Sequence, residues 1–155
     1  MRKRVALLAA LAVGCVEGGD IPSAPEQVFP TTITASDQEL EPGESTTLTV
    51  HVANPLDGAV RLTFPTSCQA LIIVRNQQGR ITTPPNGEYQ CASVPSQLFI
   101  AAGDTARFTV VWAGGVQFGA PGTSERVPPG NYFASAELRA AGVTAIAFPI
   151  LIVVH

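Results

Sequence analysis

Lysine is almost missing from this chain: Lys3 is the only one among 155 residues, and the formal net charge is −3. Histidine occurs twice, as His51 and His155, and tryptophan once, as Trp112. A chain this poor in cations has no basic stripe with which to neutralise phosphates, so nucleic acid is excluded as an expected partner. The same shortage argues against electrostatic attraction to anionic lipid. Charged residues make up 14% of the chain while apolar residues make up 46%. That balance excludes a disordered polymer and leaves ample material for a core. No apolar run approaches the ~20 residues that a spanning helix needs. Sustained 3.6-residue periodicity is also absent after the N-terminus, so no amphipathic helix is expected.

Catalytic groupings are equally scarce. No Gly-x-Ser-x-Gly elbow occurs, and a nucleophile needs a base beside it. His51 lies on the polar side of an alternating strand, and His155 is read as frayed. The acids Glu39, Glu41, Glu44, Asp57, Glu88 and Asp104 stand at turns, where carboxylates commonly bond the local backbone. No calcium loop of spaced acids is present. Neither catalytic nor metal-binding residues are assigned, no cofactor is expected, and the chain is not read as an enzyme.

The N-terminus has its own pattern. Arg2, Lys3 and Arg4 precede an apolar run from Val5 to Val13, then Gly14 and Cys15, then Glu17, Gly18, Gly19 and Asp20. A cationic head, a short apolar stretch and a small residue are the parts of an export signal. Leu11-Ala12-Val13-Gly14-Cys15 resembles a lipobox, which implies cleavage before Cys15 and diacylation of its thiol. Several acyl chains at ~0.8 kcal/mol per buried methylene make a permanent anchor. The expected organisation is a signal peptide at 1–14, lipidated Cys15 with a flexible tether to residue 30, and one domain over 31–155. Loss of 1–14 removes three of nine basic residues and none of twelve acidic ones, leaving a net charge near −6. The expected location is extracytoplasmic, at a bacterial membrane: outer membrane, its periplasmic side, or the cell surface.

With Cys15 assigned to lipid, Cys68 and Cys91 remain. In an oxidising compartment they are expected to pair, the alternative being two buried free thiols.

From Thr31 onward the chain reads as strands. Leu48, Val50 and Val52 alternate with Thr47, Thr49 and His51; Val60, Leu62 and Phe64 alternate with Arg61 and Thr63. Ala70–Arg75 is an apolar run that ends in a Gln77-Gln78-Gly79 turn. Phe108, Val110 and Trp112 form a further alternating set, as do Tyr132, Ala134, Ala136 and Leu138, and Val143–Val154 reads as one long strand. Period-two patterning broken by turn residues indicates an all-β, immunoglobulin-like antiparallel β-sandwich of seven to eight strands. Glu41–Val50 and Ala101–Val110 echo one another (a Gly turn, an acid, a hydroxyl, then a strand), which marks two equivalent corners.

Within this frame, several pieces resemble the intracellular proteinase inhibitor (BsuPI) family. They are Val50-His51-Val52-Ala53-Asn54, Val60–Ser67 with Gln69, Val74–Arg80, Phe108–Trp112, and Pro129-Gly130-Asn131-Tyr132. Departures fall at Ala70-Leu71, where the family carries an aromatic-Asp pair, and at Ile81-Thr82-Thr83, where it is Trp-rich. The resemblance implies a sandwich that inhibits or regulates a protease by steric block. Such an inhibitor needs an exposed loop held in one conformation. Residues 83–95 fit, with Pro84, Pro85, Asn86, Gly87, Glu88 and Tyr89 as the candidate binding loop, stiffened by proline and tied by Cys68–Cys91. Gly114–Arg126 is a second exposed candidate. The alternative is a structural or adhesion-type sandwich that binds an envelope protein or a polysaccharide. A monomer is expected in either case.

Overall fold

The structure is a computed structural model that describes residues 27–155 apart from 42, 85–86 and 118–123. The expected export signal, Cys15, most of the expected tether, Pro85 and Asn86 therefore lie outside the described residues. So do Gly119, Pro121 and Gly122.

The described chain is all-β. Its segments are β1 (Gln27–Val28), β2 (Thr31–Ala35), β3 (Glu39–Leu40), β4 (Thr46–Ala53), β5 (Val60–Phe64), β6 (Ala70–Asn76) and β7 (Ile81–Thr83). There follow β8 (Ser96–Ile100), β9 (Thr105–Trp112), β10 (Gly115–Gln117), β11 (Ser124–Arg126), β12 (Gly130–Leu138), β13 (Val143–Thr144) and β14 (Ile146–Val154). Eight of these have five or more residues, which matches the strand number expected from alternation.

A five-stranded sheet, ordered β3-β14-β12-β6-β7, packs against a three-stranded sheet, β2-β4-β9, and β5 pairs with β8. The alternation explains the packing. Leu48, Val50 and Val52 of β4 are buried, as are Leu62 and Phe64 of β5 and Tyr132, Ala134, Ala136 and Leu138 of β12. A period of two places each set on one face, and that face fills the space between the sheets.

Both corners form as the echo implies. Glu44 N–H donates to the Glu41 carbonyl at 3.0 Å, and Asp104 N–H to the Ala101 carbonyl at 3.1 Å. Gly43 (φ +94°) and Gly103 (φ +68°) occupy the left-handed positions, which glycine adopts without steric cost. Each acid then accepts from the local backbone: Glu44 Oε2 from Glu41 N–H, Asp104 Oδ1 from Thr105 N–H. The two strands that leave these corners, β4 and β9, pair antiparallel from Thr46↔Trp112 to Ala53↔Thr105.

Two polar side chains hold the ends of the sandwich. Tyr132 OH donates to the Pro128 carbonyl at 2.6 Å, the tyrosine-corner contact of immunoglobulin-type sandwiches. Its ring meets that of Trp112 at 5.5 Å between centroids. Asn54, at the end of β4, is fully buried. Its amide donates to the carbonyls of Gly58, Ile100 and Ala101, and its Oδ1 accepts from Leu56 N–H.

Three expectations need correction, and one strand was not expected. The packed domain begins before Thr31: β1 pairs with β13 and Phe29 is a core residue, so Gln27–Pro30 are not tether. Ser96–Ile100 is a strand that alternation did not show, because its outward Phe99 is itself apolar. Val143–Val154 is not one strand. It is interrupted at Ala145, and its ladder with β12 shifts register between Ala134 and Ala136, opposite Phe148 and Pro149. Proline has no N–H to give to a ladder, so an irregularity there is expected. Finally, His155 is held, not frayed: its N–H donates to the Leu40 carbonyl at 2.9 Å, and Nε2 lies 2.8 Å from Glu39 Oε2.

Candidate functional site

Cys68 and Cys91 form a disulfide, with Cα atoms 5.4 Å apart across a separation of 23 residues. The bond joins the turn before β6 to the connection between β7 and β8. That connection is the candidate loop. It leaves the sheet at Thr83, through a cis peptide bond to Pro84. Gly87, at φ +78°, closes a turn by donating its N–H to the Pro84 carbonyl at 3.0 Å.

The loop then returns along the edge of β6. β7 pairs with β6 only at Val74↔Thr83 and Arg75↔Ile81, which leaves the earlier part of β6 without a strand on that side. Tyr89 takes the place of one. Its hydroxyl donates to the Ile72 carbonyl and accepts from Ile72 N–H, so one phenol satisfies both backbone groups of an edge residue. Burial pushes the Tyr89 hydroxyl above its ordinary pKa, and the backbone bond to Ile72 pulls it partly back. The phenol therefore keeps the proton that it donates. Two residues beyond Tyr89 comes the disulfide, and next to that Ser67 N–H donates to the Ala92 carbonyl while Ala92 N–H donates to Ser67 Oγ.

The segment is thus held at three successive points, Tyr89, Cys91 and Ala92. Between and beyond them, Glu88, Gln90 and Ala92–Pro95 face solvent, and Val94 is 61% exposed. Ala92–Pro95 were not singled out from the sequence. The partners that hold Tyr89, Cys91 and Ala92 are Ile72, Cys68 and Ser67 in turn, and only the fold brings them near.

A cleft of about 350 Å³ opens beside the loop, lined by Cys68, Gln69, Ala70, Ile72, Tyr89 and Phe108 among others. Among the described residues β9 pairs only with β4, and Phe108 and Val110 line the cleft, half-buried.

The other candidates look different. Gly115–Gln117 and Ser124–Arg126 pair as a two-stranded ribbon, which makes part of the second candidate segment regular structure. His51 is half-buried on the outward side of β4, with Thr34 Oγ1 3.4 Å away. Among the described residues no group of three His, Cys, Asp or Glu could hold a metal ion. No helix among them is long and apolar enough to cross a membrane.

A family model described as intracellular proteinase inhibitor (BsuPI) matches residues 33–143, a span that takes in both corners, the disulfide and the whole loop. No curated protein matches the chain significantly. Among solved structures, it is similar to the β-glucosidase EmGH1 of Erythrobacter marinus, at 13% identity over 82% of this chain and TM-score 0.49. The match spans 15% of that much longer enzyme. It is also similar to a CARDB domain from Pyrococcus furiosus, at 14% identity over 81% of this chain and 93% of that one, with TM-score 0.47.

Proposed function

Because the chain belongs to the intracellular proteinase inhibitor (BsuPI) family, we propose that it inhibits or regulates a protease by steric block, with the stapled 84–95 loop as its contact. The observation that carries this reading is the triple anchoring of an exposed segment. A flexible loop loses side-chain freedom on binding, at ~0.5–1.5 kcal/mol per immobilised side chain. The backbone must be ordered as well, and a loop already fixed at Tyr89, Cys91 and Ala92 is spared most of that second cost. Blocking requires shape and rigidity, not a nucleophile or a metal.

The reading places this domain outside the cytoplasm, held to a bacterial membrane through acyl chains on Cys15. The disulfide supports that setting, since such bonds persist where the surroundings are oxidising. Replacing Cys15 by serine is expected to move the protein from the membrane to the soluble fraction, measured by fractionation. Retention at the membrane would contradict the anchor.

Incubating the purified protein with a panel of secreted serine proteases tests the function. Inhibition of at least one member, saturating at equal molar amounts, is expected. Failure across the panel would favour the adhesion-type alternative. For that alternative a sugar platform is hard to find among the tryptophan and tyrosines: Trp112 and Tyr132 are core residues, and the hydroxyl of Tyr89 is engaged at Ile72.

A further inference from the structure

We propose that the outer face of the five-stranded sheet rests on the bilayer surface, with the side chains around Phe148 seated among the lipids. This inference builds on the lipid anchor at Cys15 proposed above.

The face is built for an apolar partner. Ile146, Phe148, Leu151 and Phe133 are 60%, 88%, 43% and 38% exposed. The register places them together: Ile146 stands opposite Glu137, Leu151 opposite Phe133, and the irregularity that holds Phe148 falls between these pairs. The alternate residues Ala147 and Ile152 are fully buried, so the exposed set faces outward by the pleat of the strand. Large side chains scattered singly over a surface call for no explanation, but four together on one sheet face do.

The position of the chain outside the described residues selects the occupant. β1 enters the fold paired with β13, with Val28 beside Thr144, two residues before Ile146. Ile146 therefore lies about 7 Å along the chain from the entry point, at ~3.3 Å per residue. Eleven residues, 16–26, separate Cys15 from Gln27. These eleven residues reach about 40 Å at most, at ~3.3–3.6 Å each. An acylated Cys15 thus tethers the domain by the end that carries Ile146 and Phe148. Contact with lipid becomes intramolecular, at an effective concentration of order millimolar, so modest apolar contact suffices.

Charge identifies the class of surface. The face itself carries Glu137, opposite Ile146 and ion-paired with Arg139, and Arg75, opposite Phe133 and bonded to the Gly79 carbonyl; the Glu39–His155 pair stands beside the end of β14, and the domain has no lysine. Acids and cations are mixed on this face and no cluster of cations stands there to draw it to anionic headgroups, so the surface it fits is zwitterionic, entered by apolar side chains. The cleft beside Tyr89 is lined by β9 and the inner side of β6, so docking by the outer face leaves the loop free.

The test uses the acylated full chain in phosphatidylcholine vesicles, with Phe148→Trp and, as reference, Thr32→Trp on exposed β2 of the other sheet. Trp112 is the same in both. The expected result is a blue shift of the Phe148→Trp emission and its loss with brominated phosphatidylcholine, while Thr32→Trp keeps its emission. If neither variant is quenched although the acylated chain floats with the vesicles, the docking is overturned and the anchor stands. If Cys15 carries no acyl mass and the chain does not float, anchor and docking fall together. A blue shift at position 148 that grows with protein concentration without vesicles assigns the face to a second copy and also overturns the proposal.

Discussion

Replacing Cys68 and Cys91 together by alanine is expected to cost about 3 kcal/mol of stability, from the lost restriction of a closed loop of this length in the unfolded chain. For a domain of this size that is a fall in melting temperature on the order of 10 °C. The loss has a local side as well. The disulfide is one of three anchors of the 84–95 loop, the others being Tyr89 on Ile72 and the Ser67–Ala92 pair. Those bonds are worth about 1 kcal/mol each, which is too little to hold nine exposed or half-exposed residues alone. Cleavage of the variant by a non-target protease should therefore begin between residues 84 and 95 while the sandwich is still folded. Thermal melting and the mass of the first fragments measure the two parts. Unchanged melting and a first cut elsewhere would show that the hydrogen bonds, not the disulfide, fix the loop.

The second large effect lies at Asn54. Its amide has two hydrogens and three carbonyl acceptors, at 2.9, 3.1 and 3.0 Å, so one hydrogen is shared. Together with Leu56 N–H, these groups tie the end of β4 to the end of β8 and the corner before β9. Asn54→Ala takes the side-chain partner from the Gly58 and Ile100 carbonyls and from Leu56 N–H, while the Ala101 carbonyl keeps Asp104 N–H; of these the Ile100 carbonyl is the buried one. Each orphaned group costs ~1–3 kcal/mol where water cannot replace the partner. With partial relaxation the expected loss is about 3 kcal/mol, read as a lower urea midpoint with an unchanged slope. A loss below 1 kcal/mol would mean that water takes over the role of the amide.

Much of the sandwich was legible because β4, β5 and β12 bury one face each, and burial of one face writes a period of two into the residues. The corners were legible because a left-handed glycine and a backbone-bonding acid recur at both. The Cys68–Cys91 bond was expected from the cysteine count once Cys15 was set aside for the expected lipid, and the structure has it. Features that depend on distant partners were hidden. Asn54 reads as a turn residue until Ile100 and Ala101, some 46 residues on, are brought to it. Tyr89 reads as a loop aromatic until the edge of β6 is seen to need a donor and an acceptor. The facing of β14, though not the strand itself, was hidden for a different reason. A run such as Ile146-Ala147-Phe148-Pro149-Ile150-Leu151 is apolar on both faces, so it announces a strand without saying which side is core. Its outward face is the one proposed above for lipid.

The central claim, that a covalently stapled loop on an immunoglobulin-like sandwich blocks a protease, is tested most directly by comparing inhibition. Any protease inhibited in the panel is titrated with the oxidised protein and with the folded Cys68→Ala/Cys91→Ala variant. The account predicts that loosening the loop weakens inhibition by about 10- to 100-fold, as one or two kcal/mol or more of ordering cost reappears on binding. Equal inhibition by the two proteins would contradict it and place the contact elsewhere on the sandwich.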